Sequence, residues 1–140
     1  MVIHTLEDQL ILHEGLKLRM YQCPAEYWTI GVGRNLETKG LSRDEALYLL
    51  RNDIREITEQ LERLGWYRAL DPIRQKVIID MAFNLGLSGL LSFKHMIQAL
   101  NCYDYNTAAD EMVDSLWYRQ VGKRAERLVK MMRTGEDYTD

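Results

Sequence analysis

The stretch His13–Asn35, "HEGLKLRMYQCPAEYWTIGVGRN", contains the one clear β-strand signal in this 140-residue sequence. Between Tyr21 and Gly33 it is rich in Tyr, Trp, Thr, Ile and Val, and it is interrupted by Pro24 and by two glycines. This composition is typical of short strands joined by tight turns. The sequence therefore predicts a two-stranded hairpin here, in a chain whose other segments are helical.

Helices are predicted on both sides of the hairpin. Residues 5–8, Thr-Leu-Glu-Asp, are typical of a helix N-terminus, and the leucines and isoleucines that follow keep a helical spacing until about Arg19. Glu14 would then lie in the later part of this first helix. After Gly40, the capping-box sequence Ser42–Glu45 begins a predicted helix of about 23 residues, roughly 34 Å long at 1.5 Å per residue. A helix of this length can connect two lobes.

The C-terminal half is predicted to be built from helices alone. Gly65 ends the long helix, and Asp71 followed by Pro72 is typical of the start of the next one. That helix is apolar on most sides, which is expected at the centre of a lobe, and Gly86 and Gly89 close it. Shorter helices are predicted near residues 92–100, 106–115 and 123–133.

These elements predict a mostly α-helical α+β fold in a single domain, residues 1–140. A small N-terminal lobe with the hairpin, together with the long connecting helix, would occupy about residues 1–64. A helical C-terminal lobe would occupy residues 65–140. A cleft between two such lobes is a common place for a substrate.

The composition is that of an ordinary globular protein and argues against several classes of function. Apolar residues make up 46% and charged residues 28% of the chain, and the net charge of −3 argues against a nucleic-acid partner. The three histidines lie in no zinc-binding pattern, so neither a metal nor a cofactor is expected. Both cysteines, Cys23 and Cys102, are expected to be free thiols.

The sequence shows no signal for export or for insertion into a membrane. No run approaches about 18 uninterrupted apolar residues. Glu7 and Asp8 lie where a secretory signal would carry its apolar block. The chain is therefore expected to stay in the cytoplasm in which it is made, until another agent lets it reach its target.

The spacing of Glu14, Cys23 and Thr29 carries a resemblance to a known family. Eight residues separate Glu14 from Cys23, five more separate Cys23 from Thr29, and the run Thr29–Gly33 reads "TIGVG". This arrangement resembles the active-site region of the tailed-phage lysozymes, glycoside hydrolase family 24. The resemblance continues through "LDPIRQKVIIDMAFNLG" and "SLWYRQVGKRAERLVKMMRTG", and it is strongest to the T-even phage type. The segment between Gly33 and the capping box is much shorter than in that type, which implies a trimmed N-terminal lobe.

The resemblance implies hydrolysis of the β-1,4 bond between N-acetylmuramic acid and N-acetylglucosamine in bacterial peptidoglycan, with release of phage progeny. By position, Glu14 would be the general acid that protonates the departing glycosidic oxygen, and Thr29 would help to hold the attacking water. The chemistry agrees with this assignment, because a glycosidic oxygen leaves poorly unless it is protonated. A carboxylic acid in a partly apolar cleft can supply that proton near neutrality.

Cys23 occupies the position at which many members of the family have an aspartate, and cysteine is a known alternative there. In an inverting mechanism the aspartate helps to activate water on the sugar face opposite the acid, at a carboxyl separation of roughly 6.5 to 9.5 Å. A reference thiol, with a pKa of about 8.5, is only a few per cent ionised at neutral pH. Cys23 would act as a thiolate base, as a neutral group that orients water beside Thr29, or as a covalent nucleophile. The other alternative is a small buried residue without a catalytic role.

Three further residues match positions of the family. Phe83 would line the substrate cleft and Asn35 would contact a sugar, although a core aromatic and a turn asparagine are the structural alternatives. Arg124 matches an arginine that pairs with the catalytic glutamate, here Glu14, across the cleft. Trp117, in contrast, is expected to pack in the core of the helical lobe rather than to stack on a sugar.

Two alternatives stand beside hydrolysis. A lytic transglycosylase works with one catalytic glutamate and an internal sugar hydroxyl, so the missing aspartate removes one reason to prefer water as the nucleophile. A catalytically silent wall-binding module is the second, and the presence of both Glu14 and Thr29 argues against it. The expected partner is the peptidoglycan glycan strand, bound by a monomer. Access to the wall would depend on a holin or another membrane-permeabilising protein.

Overall fold

The structure, a computed structural model, describes residues 2–139. Helices dominate it, and three short strands form an antiparallel sheet near the N-terminus, which confirms the predicted mostly α-helical α+β class. The chain divides into two compact units, Met1–Leu49 and Leu50–Asp140, so the division falls inside the long helix. The elements in chain order are α1 (Leu6–Glu14), β1 (Lys17–Gln22), β2 (Trp28–Gly31), β3 (Arg34–Asn35), α2 (Arg43–Leu61), α3 (Gly65–Arg68), α4 (Pro72–Leu91), α5 (Lys94–Asn101), α6 (Tyr105–Val113), α7 (Leu116–Val121) and α8 (Lys123–Thr134).

The first helix is shorter than predicted. The Thr5 hydroxyl accepts a hydrogen bond of 3.0 Å from the Asp8 N–H, and the Asp8 carboxylate accepts one of 3.2 Å from the Thr5 N–H, which confirms the predicted cap. The predicted extension to Arg19 is wrong, because Gly15 has φ 80 and ψ 156, outside the helical region. Glu14 is therefore the last residue of α1.

The predicted two-stranded hairpin is part of a three-stranded sheet in the order β1-β2-β3. β1 lies antiparallel to β2, with Lys17 opposite Gly31 and Tyr21 opposite Thr29. Between these two pairs β1 runs over more residues than β2, so β1 bulges. The short strand β3 lies on the other side of β2, with Asn35 opposite Thr29. Thr29 thus occupies the central strand of the sheet.

A tight loop, Pro24–Glu26, joins β1 to β2. The Glu26 N–H donates to the Cys23 carbonyl at 2.7 Å, and the Cys23 N–H donates to the Tyr27 carbonyl at 3.0 Å. Glu26 has φ 69, the left-handed conformation that a three-residue hairpin loop requires and that glycine adopts most easily. The loop therefore closes directly on Cys23 and Tyr27.

The long helix begins as predicted and ends earlier. The Ser42 N–H donates to Glu45 Oε1 at 2.8 Å and the Glu45 N–H donates to Ser42 Oγ at 3.2 Å, which confirms the capping box. α2 ends at Leu61, where the chain tightens into a turn closed by the Leu64 N–H and the Leu61 carbonyl at 2.9 Å. Gly65, which was predicted to end this helix, begins α3 instead.

The central helix α4 has the predicted N-terminus. The Asp71 carboxylate accepts a hydrogen bond of 3.2 Å from the Arg74 N–H, and Pro72 occupies the first helical position. Gly86, with φ 77 and ψ 161, interrupts the helical backbone near the predicted end. The chain nevertheless resumes helical geometry and α4 continues to Leu91, so the predicted end is only a kink.

The helix α7 was not predicted, because its residues lie between the predicted helices near 106–115 and 123–133. It carries Trp117, whose side chain is 5% exposed and whose Nε1 donates to Asn84 Oδ1 at 2.9 Å. The Phe93 ring meets the indole edge-on, with 6.0 Å between the ring centroids. The predicted packing of Trp117 in the core is confirmed.

The apolar core of the described residues lies in the second unit. Within residues 2–139 no single helix has both the length and the hydropathy to cross a membrane, and α4 with α5, bent by 96°, meets that test only as a pair and only by length and composition. The largest fully buried side chains are Leu61, Val77, Ile78, Met81, Leu90, Met96, Leu100, Met112 and Met132.

Candidate active site

The Glu14 carboxylate lies against the turn between β2 and β3. A β-carbon at Gly33 would be 3.0 Å from Glu14 Oε2, so the carboxylate occupies the space that any other residue at position 33 would fill. Gly33 also has φ +67, which disfavours residues with a β-carbon. The arrangement follows from the local fold, because Gly15 ends α1 at Glu14 and Lys17 then pairs with Gly31 at the end of β2 nearest this turn. The Glu14 side chain is exposed, as a proton donor to a substrate must be.

The residue after Gly33 anchors this turn to the start of α2. Arg34 donates from Nη1 to Glu45 Oε1 at 2.8 Å and from Nη2 to Glu45 Oε2 at 2.6 Å, and Nη1 also donates to the Gly40 carbonyl at 3.1 Å. The Arg34 guanidinium, with the Ser42 N–H and hydroxyl, lowers the pKa of Glu45 to about 2. This bidentate ion pair joins β3 to the helix that follows it.

Cys23 and Thr29 lie beside each other at the opposite end of β2. The pKa of the Cys23 thiol is lowered, first by the Tyr27 N–H, and further by the Ala25 N–H and the Thr29 hydroxyl, while burial acts in the opposite direction. Cys23 is half-buried and forms no disulfide. The site therefore favours the thiolate more than water does.

Thr29 is the one buried residue among the described residues of the first unit, with 3% of its surface exposed. Its hydroxyl donates to the Tyr27 carbonyl at 2.9 Å. Since a hydroxyl has one proton, Thr29 can donate either to this carbonyl or to the sulfur of Cys23 at a given moment. The predicted contact of Thr29 with the attacking water stays a prediction.

Asn35 lies opposite Thr29 in the sheet, but its side chain bonds to the backbone of the residues that follow it. Its Oδ1 accepts hydrogen bonds of 3.0 Å from both the Glu37 and the Thr38 N–H groups. This is the geometry of an asparagine that stabilises a turn. The predicted contact of Asn35 with a sugar stays a prediction.

Phe83 belongs to the second unit, where it lines an open groove of about 490 Å³. Its ring is 46% exposed, so it is not the core aromatic that was the structural alternative. Other apolar walls of the groove come from Ile54 of α2, Ile79 of α4 and Met131 of α8. An exposed ring on an apolar groove is suited to a sugar face, and the predicted contact with substrate stays a prediction.

Arg124 lines the same groove and is held by an aspartate of α4. Its Nε donates to Asp80 Oδ1 at 2.8 Å, and its Nη2 lies 2.7 Å from the same oxygen and 3.3 Å from the Asp80 carbonyl. Sequence reasoning did not find Asp80, because no local pattern marks a partner 44 residues away. The predicted pairing of Arg124 with Glu14 stays a prediction.

The predicted site residues thus fall into two sets. Glu14, Cys23, Thr29 and Asn35 all lie on or beside the small sheet of the first unit, whereas Phe83 and Arg124 share a groove of the second.

Three residues of the first unit were missed as site residues: Gly33, Arg34 and Glu45. The capping-box pattern identified Glu45, but nothing local indicated its bond to Arg34. No group of three or more His, Cys, Asp or Glu residues within residues 2–139 is placed to hold a metal ion.

Comparison with known proteins agrees with this geometry. Residues 12–135 match the family model described as phage lysozyme. The chain is 27% identical to "Probable T4-type lysozyme 1" of Dictyostelium discoideum, over 96% of each chain. It is 30% identical to the "Endolysin" of Acyrthosiphon pisum secondary endosymbiont phage 1, over 87% of this chain and 86% of that one. It is 27% identical to the "SAR-endolysin" of Haemophilus phage HP1, over 89% of this chain and 62% of that one.

Proposed function

This chain belongs to the phage lysozyme family of cell-wall hydrolases, and from this premise we propose that it hydrolyses the β-1,4 bond between N-acetylmuramic acid and N-acetylglucosamine in peptidoglycan. The observation that carries the proposal is the exposed Glu14 carboxylate seated on Gly33 at one end of β2, with the Cys23–Thr29 pair at the other. Thr29 and Gly33 are four positions apart, which is at most about 13 Å of extended chain. Inversion requires the acid and the thiol to lie roughly 6.5 to 9.5 Å apart, and a span of this upper limit is compatible with that separation.

Glu14 is the proposed general acid. It is exposed at the end of a helix, and its carboxylate lies beside the turn that contains Gly33. Protonation of the departing oxygen by such a group accelerates a reaction by about 10²–10⁴-fold.

Cys23 is proposed to take the place of an aspartate beside Thr29. The lowered thiol pKa supports this assignment, because a thiolate can accept a proton from water and a neutral thiol cannot. Asn35 and Phe83 are proposed sugar contacts, and Arg124 is proposed to pair with Glu14 when substrate is absent.

The proposed role in the cell is host lysis by a monomer. The chain would be made in the bacterial cytoplasm and would reach the peptidoglycan after a holin or similar protein permeabilises the inner membrane. We expect expression alone to leave cells intact and added chloroform to cause rapid lysis. Lysis without any permeabilising agent would contradict this route.

The decisive experiment is product analysis on purified peptidoglycan. Mass spectrometry should find reducing-end muramic acid, and Glu14→Gln should lower the rate about 10²-fold or more while the protein stays folded. Products with 1,6-anhydro ends would establish a transglycosylase instead. If the wild type cleaves no peptidoglycan, the remaining interpretation is a wall-binding module without catalytic activity.

The role of Cys23 requires its own variants. Cys23→Asp should keep or raise activity, because a carboxylate is ionised at neutral pH, and Cys23→Ala should lose most of it. Cys102 is the second free thiol and is exposed. If Cys23 is the thiol on which activity depends, iodoacetamide should inactivate the Cys102→Ser variant as strongly as the wild type. A sugar-mass adduct on the peptide containing Cys23 would establish a covalent intermediate. Full activity of Cys23→Ala would refute all three catalytic roles.

A further inference from the structure

We propose that Arg34 and Glu45 are positioning residues for Glu14. Their ion pair fixes the turn between β2 and β3, and this turn carries Gly33, against which the Glu14 carboxylate lies. The inference rests on the proposed function of Glu14 as the general acid. It assigns a role in the reaction to two residues in addition to Glu14, Cys23 and Thr29.

The turn needs an anchor because little else constrains it. Gly31 and Gly33 flank Val32 and have φ +69 and +67, and glycine has more conformational freedom than any other residue. β3 contains only Arg34 and Asn35, so the pairing that follows the turn is short. A two-residue strand after such a turn contributes little rigidity of its own.

The ion pair supplies this anchor with favourable geometry. Both guanidinium nitrogens of Arg34 meet separate oxygens of Glu45 at 2.8 and 2.6 Å, and the Arg34 side chain is only 26% exposed. Bidentate pairs of this kind are stronger and more specific than ordinary surface ion pairs. Glu45 is itself held by the Ser42 N–H at 2.8 Å, in the first turn of the 19-residue helix α2. The turn is therefore tied to a rigid element.

The contacts form a continuous series from acid to helix. The Glu14 carboxylate lies 3.0 Å from the place that a β-carbon of residue 33 would take, Gly33 is followed in the chain by Arg34, and Arg34 is paired with Glu45. A displacement of the turn removes the surface against which the carboxylate rests. Because a misplacement of about 1 Å can lower a rate about 10²-fold, the loss of the anchor should reduce kcat more than it changes KM.

The test uses full-length variants that separate positioning from helix stability. Glu45→Gln keeps an oxygen for the Ser42 N–H but loses the charge that Arg34 requires, and Arg34→Met keeps the apolar stem without the donors. Arg34→Lys keeps the positive charge but cannot form the bidentate pair with Glu45. Ser42→Ala is the control for helix capping: it removes the hydroxyl that accepts from the Glu45 N–H and acts on the Glu45 carboxylate, but it keeps the Ser42 N–H bond and both Arg34–Glu45 bonds.

Two readouts are measured on each variant. Steady-state kinetics on soluble peptidoglycan fragments give kcat and KM. Amide exchange of Leu36 by NMR reports on the pairing of β2 with β3, because the Leu36 N–H donates to the Trp28 carbonyl at 2.8 Å. The second readout does not depend on the reaction.

We expect Glu45→Gln and Arg34→Met to lower kcat about fivefold or more with KM nearly unchanged, and to speed Leu36 exchange. For Arg34→Lys, both kcat and the rate of Leu36 exchange should lie between the values of these two variants and those of the wild type. Ser42→Ala should keep the wild-type kcat. Unchanged Leu36 exchange in the two variants would overturn the anchor itself. Faster exchange with an unchanged kcat, or an equal loss of kcat in Ser42→Ala, would overturn the positioning role. An active Glu14→Gln is a different result, since it refutes the proposed acid while Leu36 exchange still tests the anchor.

Discussion

Replacement of Gly33 by alanine tests whether the position of the Glu14 carboxylate controls the reaction. The new β-carbon would lie 3.0 Å from Glu14 Oε2, which is closer than nine in ten contacts of real β-carbons. The carboxylate must therefore move by a few tenths of an ångström. Since about 1 Å of misplacement can cost about 10²-fold in rate, we expect Gly33→Ala to lose about threefold to tenfold in kcat.

The chain offers a matched control for this variant in the same turn. Gly31 has φ +69, close to the +67 of Gly33, but a β-carbon at Gly31 would have no atom within 4 Å. Gly31→Ala and Gly33→Ala should each lose about 1–2 kcal/mol of stability from the left-handed backbone. Only Gly33→Ala should also displace Glu14.

The assay compares turnover of purified peptidoglycan with thermal unfolding for both variants. We expect similar decreases in the unfolding midpoint, of a few degrees, and a clear difference in kcat. Equal kcat values for the two variants would refute the reasoning, because the contact with Glu14 would then have no consequence for the reaction. A decrease in kcat for Gly31→Ala alone would refute it as well.

Three further predictions follow from other contacts. Glu26→Gly should raise the free energy of unfolding by about 0.5–1 kcal/mol in urea titrations, because it relieves a left-handed residue at φ 69; a destabilised variant would contradict this. Because the pKa of Glu45 is lowered to about 2 from 4.5, its pair with Arg34 stabilises the fold above pH 4.5 and loses that effect as the pH falls toward 2. The difference in unfolding midpoint between wild type and Arg34→Met should therefore shrink over that range, and a constant difference would exclude the linkage. Trp117→Phe should cost about 0.5–1.5 kcal/mol in denaturant unfolding, because it removes the hydrogen bond from the indole N–H to Asn84 Oδ1, while the exposed Asn84 can bond to water instead; an unchanged midpoint would show that the bond is dispensable.

Features that depend on near neighbours in sequence could be predicted well. The caps at Thr5 and Ser42 and the Asp71–Pro72 helix start were all read correctly, because each involves residues within four positions of one another. The position of Thr29 in a strand also followed from the local composition of residues 21–33. Local rules suffice where the interactions are local.

The error at the end of α1 has a physical cause. Leu16, Leu18 and Met20 continue an apolar pattern beyond Gly15, but their spacing of two residues is that of a strand, not of a helix. Since the spacing of the leucines on both sides of Gly15 also suits a helical face, the pattern alone was ambiguous. The positive φ of Gly15 decides it.

The ion pairs of the site could not be predicted, because their partners are distant in sequence. Arg34 and Glu45 are 11 positions apart, and Arg124 and Asp80 are 44 apart. Nothing in the spacing of charges selects these partners from the other acidic residues of the chain. The first depends on the approach of the chain after β3 to the start of α2, and the second on the packing of α8 on α4.

The loop before β2 explains in physical terms how a cysteine can take the place of an aspartate, as the proposed function requires of Cys23. The turn at Pro24–Glu26 presents the Tyr27 and Ala25 N–H groups to the side chain at position 23, and such donors stabilise an anion whether it is a carboxylate or a thiolate. Thr29 adapts to either protonation state of Cys23. When Cys23 is a thiol, the Thr29 hydroxyl donates its proton to the Tyr27 carbonyl at 2.9 Å, and the hydroxyl oxygen can accept a hydrogen bond from the S–H group. With a thiolate, rotation of the hydroxyl directs that proton to the sulfur. On the proposed function, the backbone loop thus supplies the environment for the anion, so that the residue at position 23 need only be a small acid whose charged form this loop favours.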